Sequence, residues 1–355
     1  MDLQLPLREK MVQKREGFLD LLRIAACFLV IVNHTASDVF LARSPQERVW
    51  FITVAYFFLS KPAVLLFYMI SGYLLLGRQD SWGTAWKRIR RILAVMLCCA
   101  AAYTVFHGFA NDPNSTLREM LLEFVNVFHE PPSNALWYLY TYLGVLIMLP
   151  FLQKMAAGMD KKDYFILFGL TCVFSGLMPI PAHYNEKWIL AWCFELPLIS
   201  NAVAMFFAGH YFARFGVKKT GRGFAAAAIG VVAMVLLNTW ATWMEYQRNQ
   251  GTDYLFFEDR TLFLNMAAAV SLFYMASFLK FSPGMQKVVT QVGACTFGMY
   301  LIGDILLDIL EPLHFLLDEK MHILPSLVLY QAIVFVCAFG IIFLARKSPW
   351  VRKLI

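Results

Sequence analysis

Charged residues are scarce in this sequence of 355 residues. Asp, Glu, Lys and Arg together make up only 15% of it, whereas 59% of the residues are hydrophobic and the mean hydropathy is +0.58. A soluble domain has about 25% charged and about 45–50% apolar residues. The shortage of charge therefore excludes an ordinary soluble fold and indicates that much of the chain lies in a nonaqueous environment.

The sequence also lacks the motifs of common soluble enzymes and of nucleotide-driven pumps. It contains no P-loop, no GxSxG, no HExxH and no GxGxxG. These absences argue against a primary pump and against common hydrolase or dehydrogenase chemistry. No internal repeat or low-complexity tract interrupts the chain, so we expect a single transmembrane domain over residues 1–355.

Cysteine is present but shows no ligand pattern. The seven cysteines lie in apolar runs without metal-ligand spacing, and their number is odd. A buried free cysteine behaves as a small hydrophobic side chain. We therefore predict no disulfide framework, no metal site and no permanently bound cofactor.

Long apolar runs dominate the chain, separated by charged segments or by Pro and Gly. A helix needs about 20 apolar residues to cross the hydrocarbon core. The runs predict about ten transmembrane helices in an all-α, polytopic membrane bundle, at 18–40, 62–77, 88–109, 134–152, 163–179, 188–212, 223–244, 261–280, 291–311 and 323–345. We interpret the apolar stretch Trp50–Leu59 as lying along the outer interface, with Lys61-Pro62 at the entry into the second span.

The distribution of positive charge predicts the orientation. With the N-terminus inside, 22 of the 31 Lys and Arg residues fall in inner segments and 8 in outer segments, while Arg23 lies within the first helix. Cytoplasmic loops carry such an excess. We therefore place both termini in the cytoplasm, with residues 1–16 as a basic segment before a retained anchor. The net charge of +7 is spread over many loops, which argues against a nucleic-acid partner.

Ionisable residues lie inside the first predicted helix. Such residues are functional candidates because they are costly in a membrane. Arg23 and His34 are separated by about three helical turns and about 16 Å, so they share a face, and Asp20 can pair with Arg23. Arg23 could instead snorkel to the inner interface, and a membrane His is often only an interhelical hydrogen-bond partner. Their stacking on one face favours a site.

Three further segments could belong to a site or have a structural role alone. The basic segment Lys87–Arg91 fits a topology anchor or a binding site for the phosphates of a cytosolic cofactor. Ser71 and Gly72 fit close helix packing, and the aromatic segment 134–140 fits an interfacial belt. Among the later spans, Glu195 and Asp304 are placed more deeply than His210 and Asp308, and whether either faces a common cavity stays open.

Together these segments resemble acyltransferase family 3, which contains surface-polysaccharide O-acetyltransferases. The resemblance covers nearly the whole chain in the family's order. It rests on Gly17–Arg23, Arg23-x10-His34, Phe67-x3-Ser71-Gly72-Tyr73-Leu74, Arg88-x2-Arg91-Ile92, Leu136–Leu139 and Thr296–Ile302. The first of these motifs is the most specific.

The resemblance implies a ten-helix enzyme in the plasma membrane of a bacterium. Such an enzyme takes an acyl group, by family an acetyl group, from cytosolic acyl-CoA to a hydroxyl of a carbohydrate or glycolipid outside. It implies catalytic roles for His34 and Arg23, with Asp20 beside them, and a donor site around Arg88 and Arg91. We assign Ser71 and Tyr73 to the donor site, and Trp137, Tyr138 and Glu195 to the acceptor.

The sequence departs from the family pattern at three positions. Ala135 and Gly303 stand where the family often has His, and Ala94 stands where it often has Pro. The first two departures leave His34 as the main candidate base, and they put a two-histidine mechanism in doubt.

Several alternatives stay open at this point. Neutral His34 could act as a general base or form an acyl-enzyme. A transporter or flippase for a lipid-linked or acylated sugar would also need many helices and buried charge, and an inactive assembly subunit is a third interpretation. The sequence does not identify the acceptor, the acyl group or the oligomeric state.

Overall fold

The structure is a computed structural model that describes residues 16–110, 116–191, 196, 200–249, 251, 254–259 and 262–355. The described residues form helices and connecting loops, without strands. The α-helices are α1 (Gly17–Leu41), α2 (Arg48–Ser60), α3 (Pro62–Leu75), α4 (Trp82–Ala110), α5 (Leu117–Asn126), α6 (Trp137–Gly158), α7 (Lys161–Thr171), α8 (Pro179–Tyr184), α9 (Asn201–Phe215), α10 (Gly221–Arg248), α11 (Phe263–Ala276), α12 (Pro283–Gly293), α13 (Thr296–Lys320), α14 (Ile323–Ala345) and α15 (Pro349–Leu354).

Among the described residues, seven helices are long and apolar enough to cross a membrane. The pair α12 and α13, bent by 51° between them, adds an eighth if it forms one broken span. Two of the predicted spans appear as shorter helices, α9 and α11, of 15 and 14 residues. The predicted all-α membrane helix bundle is confirmed, while the number of ten spans and the cytoplasmic termini stay predictions.

The interfacial position that we predicted for Trp50–Leu59 is wrong. This stretch lies in α2, and Lys61, with helical φ and ψ of −57° and −32°, joins α2 to α3 in one apolar helix of 28 residues. Trp50 and Phe58 are fully buried, in a cluster with Phe40 of α1. Pro62 does not end the helix because proline is compatible with a first helical turn.

Helix α1 lies at the centre of the bundle, where it contacts α2, α3, α11, α12, α13 and α14. This position explains how one helix can carry residues of two separate cavities. Helix α3 also packs on α9 with unusually close backbones. A Cβ atom added to Gly72 would lie 1.7 Å from the carbonyl oxygen of Phe206, and one added to Gly209 would lie 1.8 Å from that of Met69. The predicted packing role of Gly72 is therefore confirmed.

Candidate active site

A cavity of about 560 Å³ lies beside the first half of α1. Three arginines line it, Arg23 from α1, Arg91 from α4 and Arg346 from the segment after α14. Ser71 of α3 also lines it, and aromatic side chains from α6 and α13 form one end. We call this space the inner cavity. Its size suits a small-molecule ligand, and three guanidinium groups, one of them in the ion pair between Arg23 and Asp20, contribute positive charge to its lining.

The Arg23 guanidinium is held by the buried carboxylate of Asp20. The two groups form an ion pair at 2.8 Å, and Asp20 is only 1% exposed. Thr290 of α12 donates a hydrogen bond to Asp20 at 3.4 Å, and Gly293 leaves room for the carboxylate, since an added Cβ would lie 2.9 Å from that of Asp20. The predicted pairing is present, and it fixes the direction of the guanidinium without removing Arg23 from the inner cavity.

The other two arginines also bind backbone carbonyl groups, most of them near the end of the chain. Arg91 Nε donates a hydrogen bond to the carbonyl of Leu354 at 2.8 Å. Arg346 donates to the carbonyl of Ala294 and, at 3.3 Å, to that of Ile355. A guanidinium has five N–H donors, so these bonds orient each side chain and leave donors for a ligand. From the sequence, Arg346 is simply one of the positively charged residues of the inner segments.

Arg88 is placed differently from its sequence assignment. It does not line the inner cavity but pairs through both terminal nitrogens with Asp80, in the turn between α3 and α4. Gln153 of α6 donates to the same carboxylate at 2.8 Å. Burial raises the pKa of the Asp80 carboxyl, but the hydrogen bonds from Arg88 and Gln153 lower the pKa by more, and the net pKa lies below its usual value. The geometry therefore gives Arg88 a structural contact in place of the donor contact that we expected.

Tyr73 also lies away from the inner cavity. Its ring packs against Phe18 and Phe273, with centroid distances of 5.8 Å and 6.1 Å. Ser71, two residues earlier on α3, lines the inner cavity instead. The two residues point in different directions because successive helical positions are about 100° apart.

A second cavity, of about 110 Å³, contains His34. We call it the outer cavity. Its polar lining includes Asn33, Ser60, Lys61 and Glu258, together with the predicted acceptor residues Trp137 and Tyr138. Lys61 pairs with Glu258 at 3.2 Å, and Ser60 donates a hydrogen bond to Asn33 at 3.2 Å. Glu195, the remaining predicted acceptor residue, lies outside the described residues.

Two tyrosines form a common wall between the cavities. Tyr138 and Tyr300 line both of them, and the Tyr300 hydroxyl donates a hydrogen bond to the carbonyl of Ala135 at 2.6 Å. Arg23 and His34 therefore face cavities on opposite sides of one aromatic wall, although they belong to the same helix. The arrangement can keep ligands in the two cavities apart.

The two positions that lack the expected histidines lie beside His34. Ala135 and Gly303 line a third cavity, of about 10 Å³, together with His34 and Asp304. With Ala135 and Gly303 there, neither position supplies a second imidazole beside His34. Among the described residues, no group of three or more His, Cys, Asp or Glu side chains is placed to hold a metal ion.

Sequence reasoning missed two residues of the outer cavity, Lys61 and Glu258. Lys61 had the appearance of an ordinary boundary charge, since a helix continuing through Lys61-Pro62 was not expected. Glu258 lies in a long acidic loop with several aromatic residues. Such long loops often carry function, but the loop's sequence does not indicate which residue reaches the cavity.

Comparison with protein families identifies a match over most of the chain. The family model of the acyltransferase domain Acyl_transf_3 matches residues 16–347. The chain belongs to acyltransferase family 3. The match covers α1 to α14, and with them nearly all the residues that line the two main cavities. No curated protein and no solved structure matches the chain. As a member of acyltransferase family 3 with several apolar helices, the protein is a multi-pass membrane acyltransferase.

Proposed function

We propose that this family 3 acyltransferase transfers an acyl group, in the first instance acetyl, from cytosolic acyl-CoA to a hydroxyl of a carbohydrate or glycolipid outside the cytoplasm. The membrane is the plasma membrane of a bacterium. The observation that carries the proposal is the pair of cavities on α1. The inner cavity contains Arg23 and the outer cavity contains His34, and both end at Tyr138 and Tyr300.

The inner cavity is the proposed donor site. The phosphates of CoA are anionic, and guanidinium groups bind phosphate oxygens in bidentate geometry. Arg91 and Arg346 are available at the cavity for this contact. Arg23 also lines the cavity, where its guanidinium is paired with Asp20. The uncharged pantetheine arm then directs the thioester toward the wall formed by Tyr138 and Tyr300.

The outer cavity is the proposed acceptor site. Lys61, Glu258 and Asn33 offer donors and acceptors to sugar hydroxyls, and Trp137 offers an apolar surface. The imidazole of His34 removes the proton of the reacting hydroxyl while its oxygen attacks the thioester carbon. The C–S bond breaks, CoA leaves as a thiolate, and the proton passes from the imidazolium to the thiolate. In the alternative relay, His34 itself carries the acyl group between the two steps.

The test uses the full chain in nanodiscs with acetyl-CoA and methyl glycosides of glucose, galactose, mannose and N-acetylglucosamine as probe acceptors. CoA release is followed with a thiol reagent, and ester formation with labelled acetyl groups. We expect His34→Ala to lower transfer by about 10²- to 10⁴-fold. The matched control is His107→Ala, because His107 pairs with Glu123 at 3.2 Å and lines none of the three cavities described above.

Three results would contradict or refine this proposal. A wild-type protein that consumes no acetyl-CoA but moves a lipid-linked sugar would favour transport. Normal transfer by a folded His34→Ala protein would remove the proposed base. Labelled protein that accumulates when the acceptor is withheld would favour the acyl-enzyme relay over direct transfer.

A further inference from the structure

Asp304 of α13 faces His34 of α1 across the smallest of the three cavities. Both residues line this space of about 10 Å³, and α13 packs directly on α1. His34 also lies within electrostatic range of Asp304 and of Lys61. A cavity of about 10–15 Å³ holds one water molecule when it offers the water two to four polar partners, and in this otherwise mostly apolar lining the imidazole and the carboxylate are two such partners. A single water can therefore connect the carboxylate to the imidazole.

The imidazole needs such a partner. The side-chain hydrogen bonds described around it are made by Asn33, Thr35 and Ser37, and among the described residues none reaches the ring of His34. A histidine that acts as a base has to carry its proton on the nitrogen away from the substrate. The hydrogen bond of that nitrogen decides which tautomer is present.

The Asp304 carboxylate is itself held in place. Ser133 donates a hydrogen bond to one of its oxygens. The same Ser133 hydroxyl accepts a hydrogen bond from the backbone N–H of Ala135 at 3.1 Å, at the start of the short helical turn Asn134–Leu136. This turn leads directly into α6, which carries Trp137 and Tyr138. The carboxylate is thus fixed relative to both α6 and α13.

We propose that Asp304 is a positioning residue for His34, and the proposal rests on the function proposed above. Its carboxylate accepts a hydrogen bond through one water from the imidazole N–H that faces away from the acceptor. The other ring nitrogen is then the base. After proton transfer, the same carboxylate stabilises the imidazolium, as the acidic member of a catalytic triad does. Lys61 opposes this effect less than a free ammonium would, because it pairs with Glu258.

The main experiment compares Asp304→Asn with Asp308→Asn in nanodiscs, with acetyl-CoA and methyl β-D-glucoside as the probes. Asp308 lies one turn farther along α13, is exposed, and lines none of the three cavities described above. We expect Asp304→Asn to lower kcat by about 10- to 100-fold, less than the loss of the base itself. KM for acetyl-CoA should stay within about twofold, because the donor site is on the other side of the tyrosine wall, and Asp308→Asn should leave both constants unchanged.

Ser133→Ala gives a second measurement that retains the carboxylate. We expect it to lower kcat by roughly 3- to 10-fold in the wild-type background and to have no further effect in Asp304→Asn, since the two residues then act as a unit. Folding of each variant is checked by its elution profile and Tm. If Asp304→Asn does not fold, kcat of Ser133→Ala in the wild-type background decides the question, and a kcat within twofold of the wild type then overturns the role of Asp304.

Separate results identify which proposal fails. A wild-type protein that releases no CoA contradicts the proposed function. If the wild-type protein is active, three results would overturn only the role of Asp304. These are a kcat within twofold of the wild type in Asp304→Asn, an equal loss of kcat in Asp308→Asn, and effects of Ser133→Ala and Asp304→Asn on kcat that multiply.

Discussion

The rings of Tyr138 and Tyr300 meet edge to face, with centroids 6.0 Å apart and planes at 88° to each other. Tyr138 also stacks on Tyr142 at 5.5 Å, so the ring lies between two aromatic partners. In the proposed reaction, an aromatic wall of this kind would keep water away from the thioester. The wall thus offers the proposed transferase a way to avoid hydrolysing its donor.

Removal of one ring should uncouple the proposed reaction. We expect Tyr300→Ala to reduce acyl transfer on the order of 10²-fold, because the thioester is no longer held in line with the acceptor. CoA release without acceptor should rise, because water gains access to the thioester. The ratio of hydrolysis to ester formation in nanodiscs measures this effect.

Tyr300→Phe is the matched control for this prediction. It keeps the ring and loses only the hydrogen bond to Ala135, with a net stability cost of about 1 kcal/mol. We expect its hydrolysis ratio to equal that of the wild type. An unchanged ratio in Tyr300→Ala would show that the ring does not exclude water.

Arg88 and Arg91 should differ in their effect on donor binding, although both belong to one basic segment. Arg91 lines the inner cavity, whereas Arg88 pairs with Asp80. Loss of a charged hydrogen bond of about 1.5–3 kcal/mol should raise KM for acetyl-CoA roughly 10- to 100-fold in Arg91→Gln. Arg88→Gln should leave KM within about twofold and lower the Tm. Equal KM values for the two variants would contradict the assignment.

The positions along the first helix could be predicted from the sequence because they depend on local periodicity. Arg23 and His34 are separated by about three helical turns, which decides that they share a face wherever α1 lies in the bundle. The pairing of Asp20 with Arg23 is equally local. The Ser71–Gly72 segment also indicated close packing, since small residues let membrane helices approach.

The contacts that join distant segments could not be predicted in this way. Arg88 binds Asp80 across a turn, and Gln153 joins them from another helix, so nothing in the spacing of Lys87–Arg91 separates Arg88 from Arg91. The burial of Trp50 depends on α1 and α10 packing against α2. The apolar stretch Trp50–Leu59 alone fits an interface and a buried helix equally well.

The Asp80–Arg88 pair should give the stability a distinct pH dependence. The pKa of Asp80 is lower in the folded protein than its usual value, so its contribution is fully present above about pH 4 and is lost as the pH falls through the folded pKa. We expect Asp80→Asn to lower stability at pH 7 by on the order of 1 kcal/mol. The difference in Tm from the wild type should shrink below pH 4.

Arg88→Gln provides the second half of this comparison. It removes the other member of the same pair, so its loss of Tm should shrink over the same pH range. If the loss of Tm in Asp80→Asn stays constant from pH 7 to pH 3, the charge of the Asp80 carboxylate does not stabilise the folded protein.

Two glycines, Gly72 at the contact between α3 and α9 and Gly144 of α6, should differ in their tolerance to substitution. In Gly72→Ala the new methyl group would collide with the backbone of Phe206 at 1.7 Å, and backbone cannot move aside as a flexible side chain can. Overpacking of this kind costs about 1–3 kcal/mol or more. Gly144 of α6 has no atom within 4 Å of an added Cβ, so Gly144→Ala should keep or slightly raise the Tm.

The collision at Gly72 should affect activity as well as stability, because Ser71 is the next residue and lines the inner cavity. Displacement of α3 from α9 moves Ser71 and with it this side of the inner cavity. We therefore expect KM for acetyl-CoA to rise in Gly72→Ala and to stay unchanged in Gly144→Ala. Gly209→Ala introduces a methyl group into the same contact between α3 and α9, from the side of α9. Its loss of stability should therefore not add fully to that of Gly72→Ala. Full additivity of the two losses, or a wild-type Tm in Gly72→Ala, would show that the backbones of α3 and α9 do not touch in the membrane.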